Sequence, residues 1–318
     1  MTPLAAARVM VTGGAGFLGR RVCAALKERG VVDVVAPRRV EHDLTRQQAV
    51  DACVAGIKPD VIIHLAAEVG GIGANQANPG RYFYANMAMG LNLIEAARRH
   101  GVDKFVQIGT VCAYPKHTSV PFRETSLWDG YPEETNAPYG VAKRALAVML
   151  DGYRRQYGLC GIYLIPVNLY GPGDNFDPET SHVIPALIRK LVAAVERGDD
   201  AVEVWGTGAA SREFLHVDDA AAAIVAATEQ HDDPAPVNLG SGQEITIRAL
   251  VDLVAVIVGF TGEVRWDATR PDGQPRRALA VSRAREQFNF EASVVLADGL
   301  RETVEWWRQH RATAVEAP

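Results

Sequence analysis

Short, continuously apolar segments alternate with helix-like segments through the first half of this 318-residue sequence. The segments RVMVTG (8–13), DVIIHLAA (60–67) and KFVQIGT (104–110) lack the polar alternation expected of a strand with one face in water. They are typical of strands buried on both faces of a parallel sheet that helices cover on each side. The pattern predicts an α/β fold built on a Rossmann-type doubly wound parallel sheet.

The character of the sequence changes after about residue 170, where loops become rich in Gly, Pro and Asp. A strand-like VEVWG segment and a helical pattern at 183–198 indicate a smaller C-terminal lobe. The EFLHVDDAAAAIVAAT segment is expected to return to the first domain, so the lobe is interleaved with it. We therefore predict a first domain over 1–170 with a return segment near 212–240, and a lobe formed mainly by 171–318.

Composition limits the class of protein. A net charge of −5 with 48% hydrophobic residues predicts a large core and argues against nucleic acid as a partner. Neither a signal peptide nor a run of about 18 uncharged apolar residues is evident, so we expect a cytoplasmic protein with no membrane association. Because Cys23, Cys53, Cys112 and Cys160 lack metal-ligand spacing, we expect free thiols and no bound metal.

A glycine-rich segment follows the first predicted strand and opens the first predicted helix. In that context glycines allow close backbone approach, and the helix amides face a dinucleotide pyrophosphate. The alternative is an ordinary strand-to-helix turn. The residues predicted to bind the cofactor here are Gly13, Gly14, Ala15, Gly16, Phe17, Leu18 and Gly19.

The second predicted strand ends without the acidic residue that would hold a free ribose 2′-hydroxyl. Arg38 and Arg39 follow it instead, and arginine suits a 2′-phosphate, so NADP(H) is the expected cofactor. Solvated surface arginines are the alternative. Asp43 either reaches the adenine edge or caps a helix.

Tyr139 and Lys143 are four residues apart and would share one face of a helix. An ammonium beside a phenol favours the phenolate, so Lys143 is expected to lower the pKa of Tyr139 toward neutrality. Thr110 ends a predicted parallel strand, where open α/β sheets bind ligands. The three residues together predict proton transfer to a carbonyl oxygen as hydride arrives.

The sequence resembles the extended short-chain dehydrogenase/reductase superfamily over nearly its whole length and, within it, the GDP-L-fucose synthases. The segments that carry this resemblance are AAEVGGIGAN (66–75), GTVCAYPK (109–116), NAPYGVAK (136–143), PVNLYGPGDNF (166–176), SHVIPALIRK (181–190), VWGTG (204–208), SREFLHVDD (211–219) and RPDGQPRR (270–277). The resemblance implies C3/C5 epimerisation of GDP-4-keto-6-deoxy-D-mannose, followed by reduction of its C4 ketone with NADPH.

The resemblance also assigns roles to single residues. Cys112 would remove the C3 and C5 protons and His182 would return them, while Thr110 and Tyr139 stabilise the enolate oxygen. An ordinary thiol has a pKa of about 8.5, so such a base needs activation. Alone, a cysteine is more often a small core residue and a histidine a structural one. Further residues implied to contact the cofactor are Leu65, Ala66, Ala67, Lys143, Pro166, Asn168, Leu169 and His182.

For the GDP-sugar, the resemblance implies contacts from Lys190, Trp205, Arg212 and Asp272. The alternatives for these four are a solvated lysine, a core tryptophan, a surface ion pair and a turn aspartate. Homodimers are typical of the resembled family, so a homodimer is expected.

The chain departs from the family at four positions. Thr110 replaces a serine, Lys190 an arginine, Glu68 a basic residue and Ala280 an acidic one. Glu68 and Ala280 leave open a sister enzyme acting on another GDP-sugar, such as a colitose or deoxyheptose precursor. A catalytically silent NADP(H)-binding or nucleotide-sugar-binding protein is the alternative outside enzymes.

Overall fold

A computed structural model of the protein describes residues 2–270 and 272–314. Pro271 of the RPDGQPRR segment and residues 315–318, at the end of the predicted lobe, lie outside this description. The strands are β1 Arg8–Thr12, β2 Asp33–Val35, β3 Val61–His64, β4 Lys104–Ile108, β5 Cys160–Pro166, β6 Asn168–Tyr170, β7 Ala201–Trp205, β8 Ser211–His216, β9 Val237–Leu239, β10 Glu244–Thr246 and β11 Glu263–Asp267. The helices are α1 Phe17–Glu28, α2 Gln47–Ile57, α3 Ile72–Ala77, α4 Pro79–Arg99, α5 Ala137–Tyr157, α6 Val183–Arg197, α7 Val217–Gln230, α8 Ile247–Val258, α9 Ser282–Phe288 and α10 Leu296–Ala314.

Six parallel strands form the main sheet, in the order β2-β1-β3-β4-β5-β9. Each strand from β1 to β5 is followed by at least one helix before the next strand of this sheet, as parallel pairing requires. Strands β1, β3 and β4 are buried almost throughout, which accounts for their continuous apolar sequence. The predicted α/β class and doubly wound sheet are confirmed.

The later residues build a second, smaller assembly. Strand β8 lies between β6 and β10, and β11 pairs with β7. Helices α6, α8 and α10 pack together over these strands around a core that includes Ile188, Val254 and Trp307. Within the ranges given above, no helix is long and apolar enough to cross a membrane.

The chain passes between the two assemblies around residue 217. Strand β8 belongs to the small sheet, whereas α7 packs on α1 and β9 joins the edge of the main sheet beside β5. The carboxyl ends of the main-sheet strands therefore face the smaller assembly, which is where open α/β sheets bind ligands.

Candidate active site

A cavity of about 1160 Å³ lies between the main sheet and the smaller assembly. This volume suits a dinucleotide together with a second ligand, since ordinary ligand pockets occupy about 300–1,000 Å³. Every residue that the sequence assigned to the site lines this cavity, with the exception of Gly14. A Cβ at Gly14 would meet the Ala36 side chain behind the turn, so this glycine serves packing.

The glycine-rich turn is shaped for close backbone approach. Gly13 has a φ of +71°, and a Cβ there would lie 2.9 Å from the backbone nitrogen of Ala66. At Gly19 a Cβ would overlap the carbonyl oxygen of Gly13, so α1 can pack directly on the turn. Helix α1 begins at Phe17 after the N-cap Gly16. Because the first-turn N–H groups of a helix lack intrahelical partners, this end suits a pyrophosphate.

Arg38 and Arg39 line the cavity beyond β2. The Nη1 atom of Arg39 lies 3.2 Å from Oε1 of Glu68, a residue in the loop after β3. Asp43 also lines the cavity, but its Oδ1 accepts hydrogen bonds from the backbone nitrogen and hydroxyl of Thr45. These bonds lower the pKa of Asp43 and order the turn before α2, whose N-cap residue is Arg46, so Asp43 does not cap that helix.

Thr110, Cys112 and Tyr139 meet at the end of β4. The Thr110 hydroxyl accepts from the backbone nitrogen of Cys112 at 3.2 Å and also hydrogen-bonds the Tyr139 side chain. Helix α5 packs tightly on this turn, because a Cβ at Gly140 would overlap the Cys112 carbonyl oxygen. The close approach brings the thiol and the phenol together above the sheet.

Burial sets the ionisation of Tyr139 and Lys143. It raises the pKa of Tyr139 well above its ordinary value, the charge of Cys112 adds to the rise, and the Thr110 hydrogen bond opposes it. Burial also lowers the pKa of Lys143 to about 8, while its Nζ donates to the Ile108 carbonyl at 3.2 Å. The expectation that Lys143 brings the Tyr139 pKa toward neutrality is wrong for this state, because desolvation of the phenolate dominates. Tyr139 is therefore a protonated donor.

Arg277 is a site residue that the sequence analysis missed. Its Nη1 lies 3.6 Å from Sγ of Cys112, and its Nε and Nη2 donate to Oε1 of Gln274 at 3.3 and 3.2 Å. The guanidinium is buried and the thiol is half-buried. The Cys112 sulfur therefore has a fixed cationic hydrogen-bond donor beside it. Arg277 is the last residue of the RPDGQPRR segment, from which the sequence analysis assigned only Asp272 to the site.

His182 is the N-cap residue of α6, and its side chain opens into the same cavity. Partial desolvation lowers its pKa, and the nearby charge of Arg277 lowers it further. The protonated imidazole is consequently a stronger acid than an ordinary histidine. Cys112 and His182 thus offer a base and an acid in one cavity with the hydroxyls of Thr110 and Tyr139.

Arg212 lies on β8 in the wall formed by the smaller assembly. Its Nη1 donates to the Gln274 carbonyl at 2.6 Å, and its Nη2 donates to the Asp272 carbonyl at 3.0 Å. Burial, and then the charge of Arg277, lower the pKa of Arg212 to about 10. The half-buried guanidinium of Arg212 and the buried guanidinium of Arg277 destabilise each other, and such a pair is suited to an anionic ligand.

Lys190, Trp205 and Asp272 also line this end of the cavity. Lys190 donates to the Glu203 carbonyl at 2.7 Å, and the exposed Trp205 ring lies under the guanidinium of Arg270. The Asp272 carboxylate accepts from the backbone nitrogen and hydroxyl of Thr207 at 2.8 and 2.6 Å. Asp272 therefore also orders the turn that follows Trp205.

The fold and the Thr110, Tyr139 and Lys143 set define a dinucleotide-binding α/β protein equipped for proton transfer at a carbonyl. More specifically, the chain belongs to the NAD dependent epimerase/dehydratase family, whose model matches residues 9–240. The resemblance to GDP-L-fucose synthases is confirmed: GDP-L-fucose synthase 1 of Arabidopsis thaliana is 42% identical over 95% of this chain and 93% of that protein. GDP-L-colitose synthase of Yersinia pseudotuberculosis is 34% identical over 94% of this chain and 97% of its own.

Two solved structures from Campylobacter jejuni share the fold. A GDP-6-OMe-4-keto-L-xylo-heptose reductase has a TM-score of 0.90 at 29% identity, covering 96% of this chain and 99% of the other. A GDP-D-glycero-L-gluco-heptose synthase, solved in the presence of NADPH, has a TM-score of 0.86 at 28% identity, covering 96% and 98%. Enzymes of GDP-sugar metabolism thus recur in both comparisons.

Proposed function

We propose that this chain is a bifunctional, NADPH-dependent enzyme that converts GDP-4-keto-6-deoxy-D-mannose to GDP-L-fucose. The observation that carries the proposal is the joint presence of Cys112 with its Arg277 partner, His182 and the Thr110–Tyr139 pair in one cavity. Simple ketoreduction does not need a thiol base and an imidazole acid. Inversion of two carbons beside a ketone does.

In the epimerisation, the C4 ketone makes the C3 and C5 protons acidic. Cys112, acting as a thiolate base with Arg277 beside its sulfur, removes each proton from one face, and the electron pair moves to the C4 oxygen. The neutral hydroxyls of Thr110 and Tyr139 hydrogen-bond that enolate oxygen. His182 then returns a proton on the opposite face, which inverts the carbon. Exchange with solvent removes the proton from Cys112 and reprotonates His182 before the second carbon is inverted.

In the reduction, NADPH held at the glycine-rich turn would supply hydride to C4. Tyr139 gives its proton to the C4 oxygen. Because the pKa of Tyr139 is raised, this transfer requires an alkoxide at C4 that is more basic than the Tyr139 phenolate. The Lys143 ammonium lies one helical turn from Tyr139 and stabilises the phenolate that is left. Thr110 keeps the oxygen aligned through both reactions.

We further propose that residues 1–170 with the return segment near 212–240 hold the cofactor, and that 171–318 mainly hold the GDP-sugar. Residues 13–19, Arg38, Arg39 and 65–67 would contact the adenosine and pyrophosphate, and Pro166, Asn168 and Leu169 the nicotinamide. Arg212 and Lys190 would bind the GDP diphosphate, and Trp205 would cover the base or ribose. This division agrees with the placing of the cavity between the main sheet and the smaller assembly.

A sister activity on a colitose or deoxyheptose precursor is the second candidate, given the relatives described above. The two departures that raised it pair with residues other than those proposed to bind the GDP-sugar. Ala280 pairs its backbone with Phe122, away from the cavity lining, and Glu68 lies beside Arg39. Neither substitution therefore argues against the fucose precursor.

We also propose a homodimer formed through α4 and α5. These helices pack side by side and expose Tyr84, Leu91 and Val148, so their outer surface carries apolar side chains. Light scattering of the purified protein tests this directly. The four free cysteines suit a reducing compartment, and we propose a cytoplasmic location.

The decisive experiment incubates the enzyme with GDP-4-keto-6-deoxy-D-mannose and NADPH in deuterated water. We expect NADPH consumption and GDP-L-fucose that carries deuterium at C3 and C5, identified by NMR. Reduction without deuterium would indicate a simple 4-ketoreductase, and exchange without reduction an epimerase. Turnover only of a 3-deoxy or heptose substrate would favour the sister activity, and no change with any substrate would favour a binding protein.

A further inference from the structure

Three charged side chains form an ion-pair cluster: Arg39 and Glu68, which line the cavity, and Arg81, which pairs with Glu68. Glu68 Oε1 lies 3.2 Å from Arg39 Nη1, and Glu68 Oε2 lies 2.7 Å from Arg81 Nε. The Glu68 side chain is only 15% exposed, whereas those of Arg39 and Arg81 are 73% and 63% exposed. The carboxylate is therefore the most buried member of the cluster. It occupies the position where the resembled family usually has a basic residue.

Glu68 is held in place by a buried amide. The backbone nitrogen of Glu68 donates to Asn86 Oδ1 at 3.2 Å, and Asn86 Nδ2 donates to the Glu68 carbonyl at 2.8 Å. Asn86 is 1% exposed and also donates to the Tyr82 carbonyl within α4. Because its backbone is clamped from both sides, Glu68 presents its carboxylate to Arg39 as a fixed feature of the site.

The cluster lies where a 2′-phosphate would bind. Arg39 follows β2 and Glu68 follows β3, and these strands flank β1, which leads into the glycine-rich turn. In this fold the adenosine ribose lies at the end of the second strand, so a substituent on its 2′-oxygen comes near both residues. Both side chains line the cavity.

We infer that Glu68 is a cofactor-specificity residue, whose carboxylate holds Arg39 and reduces the advantage of NADPH over NADH. The inference rests on the proposed use of NADPH. One nitrogen of Arg39 is taken by Glu68, and the remaining donors stay available to a phosphate. The three side chains together leave a single net positive charge. Glu68 thus weakens the preference for the phosphorylated cofactor without abolishing it.

The test uses the intact enzyme and two probes that lack nicotinamide, adenosine 2′,5′-bisphosphate and 5′-AMP, with calorimetric titration. The isosteric Glu68→Gln change should tighten bisphosphate binding about two- to fivefold, the range of an exposed ion pair, and leave 5′-AMP unchanged. The kcat/KM ratio of NADPH to NADH should rise by the same factor. Glu263→Gln is the matched control, because it removes an exposed ion pair with Arg265 that lies outside the cavity lining. It should change neither the bisphosphate affinity nor the kcat/KM ratio.

Two further variants test the direction of the effect on bisphosphate affinity and whether it acts through Arg39. Arg81→Gln leaves Glu68 with Arg39 alone, so bisphosphate affinity should fall about twofold. In an Arg39→Gln background, Glu68→Gln should lose most of its effect, because Glu68 acts through Arg39. An undiminished effect in that background, or equal changes for both probes, would overturn the inference.

Failure of the inference can be told apart from failure of the proposed cofactor. If wild-type enzyme binds neither probe and turns over with neither nicotinamide cofactor, the proposed function fails and this inference with it. If it binds the bisphosphate but Glu68→Gln changes nothing, NADPH use stands and the specificity role of Glu68 is refuted.

Discussion

Replacing Arg277 by glutamine removes the cation beside the Cys112 thiol while keeping a side chain of similar length. The interaction is a charge-assisted hydrogen bond between a buried guanidinium and a half-buried sulfur, 3.6 Å apart. Such bonds contribute about 1.5–3 kcal/mol. Because the thiol is partly hydrated, a value of about 2 kcal/mol is appropriate, which corresponds to about a 30-fold loss of reactivity at the Cys112 sulfur.

Two assays measure this loss. Alkylation of Cys112 by iodoacetamide at pH 7, followed on the Cys112 peptide by mass spectrometry, should slow about 30-fold, as a loss of about 2 kcal/mol requires. Solvent deuterium incorporation at C3 and C5 should slow similarly, while NADPH affinity stays unchanged. The neighbouring Arg276→Gln change is the control, because Arg276 points to the surface and pairs with Glu244.

Wild-type rates of alkylation and exchange in Arg277→Gln, equal to those of Arg276→Gln, would refute the role of Arg277 at the thiol. A loss confined to GDP-sugar affinity, with unchanged Cys112 reactivity, would refute it too. Arg277 would then serve the diphosphate beside Arg212 and leave the thiol unassisted.

Two other predictions follow from burial of single groups. Because burial lowers the pKa of Lys143 to about 8, the rate of single-turnover reduction should fall as pH rises through that value. The residual activity of Lys143→Arg should not change from pH 7 to about 9.5. A wild-type rate that is also independent of pH would contradict this prediction. Burial raises the pKa of Asp174 to about 7, and its Oδ2 has no hydrogen-bond partner among the residues that the structure describes. Its folded pKa exceeds the unfolded one, so the native state holds an extra proton and loses stability as pH rises from about 4 to 7. Asp174→Asn should therefore gain up to ~3 kcal/mol more in unfolding free energy at pH 8 than at pH 5, and urea titrations showing equal gains would count against it.

The parts of the site that sequence reasoning located are those fixed by local geometry. Gly13 must adopt a positive φ beside Ala66, and Tyr139 and Lys143 share a face because they lie one helical turn apart. The strands were recognisable because burial on both faces demands apolar side chains throughout. In each case a short stretch of chain contains the whole physical requirement.

Long-range contacts and desolvation were not recoverable in this way. Arg277 and Cys112 are 165 positions apart, and they meet because the 274–280 segment pairs its backbone with Glu213 and Phe122. The sign of the Tyr139 pKa shift depends on how completely the phenol is buried, which residue spacing does not encode. The pairing of β8 in the small sheet likewise depends on β6 and β10.

Burial of Tyr139 has a consequence for how one cavity could perform two reactions in sequence. A phenol with a raised pKa remains a neutral donor throughout epimerisation, so it can stabilise the enolate oxygen without losing its proton. The same proton is then available when hydride makes C4 an alkoxide, which is far more basic than an enolate. Loss of the Lys143 charge near pH 8 should therefore slow reduction while exchange at C3 and C5, which depends on Cys112 and Arg277, continues. Deuterium exchange and NADPH oxidation measured together from pH 6.5 to 9.5 should show exchange outlasting reduction, and a parallel decline would mean that both steps depend on one ionisation.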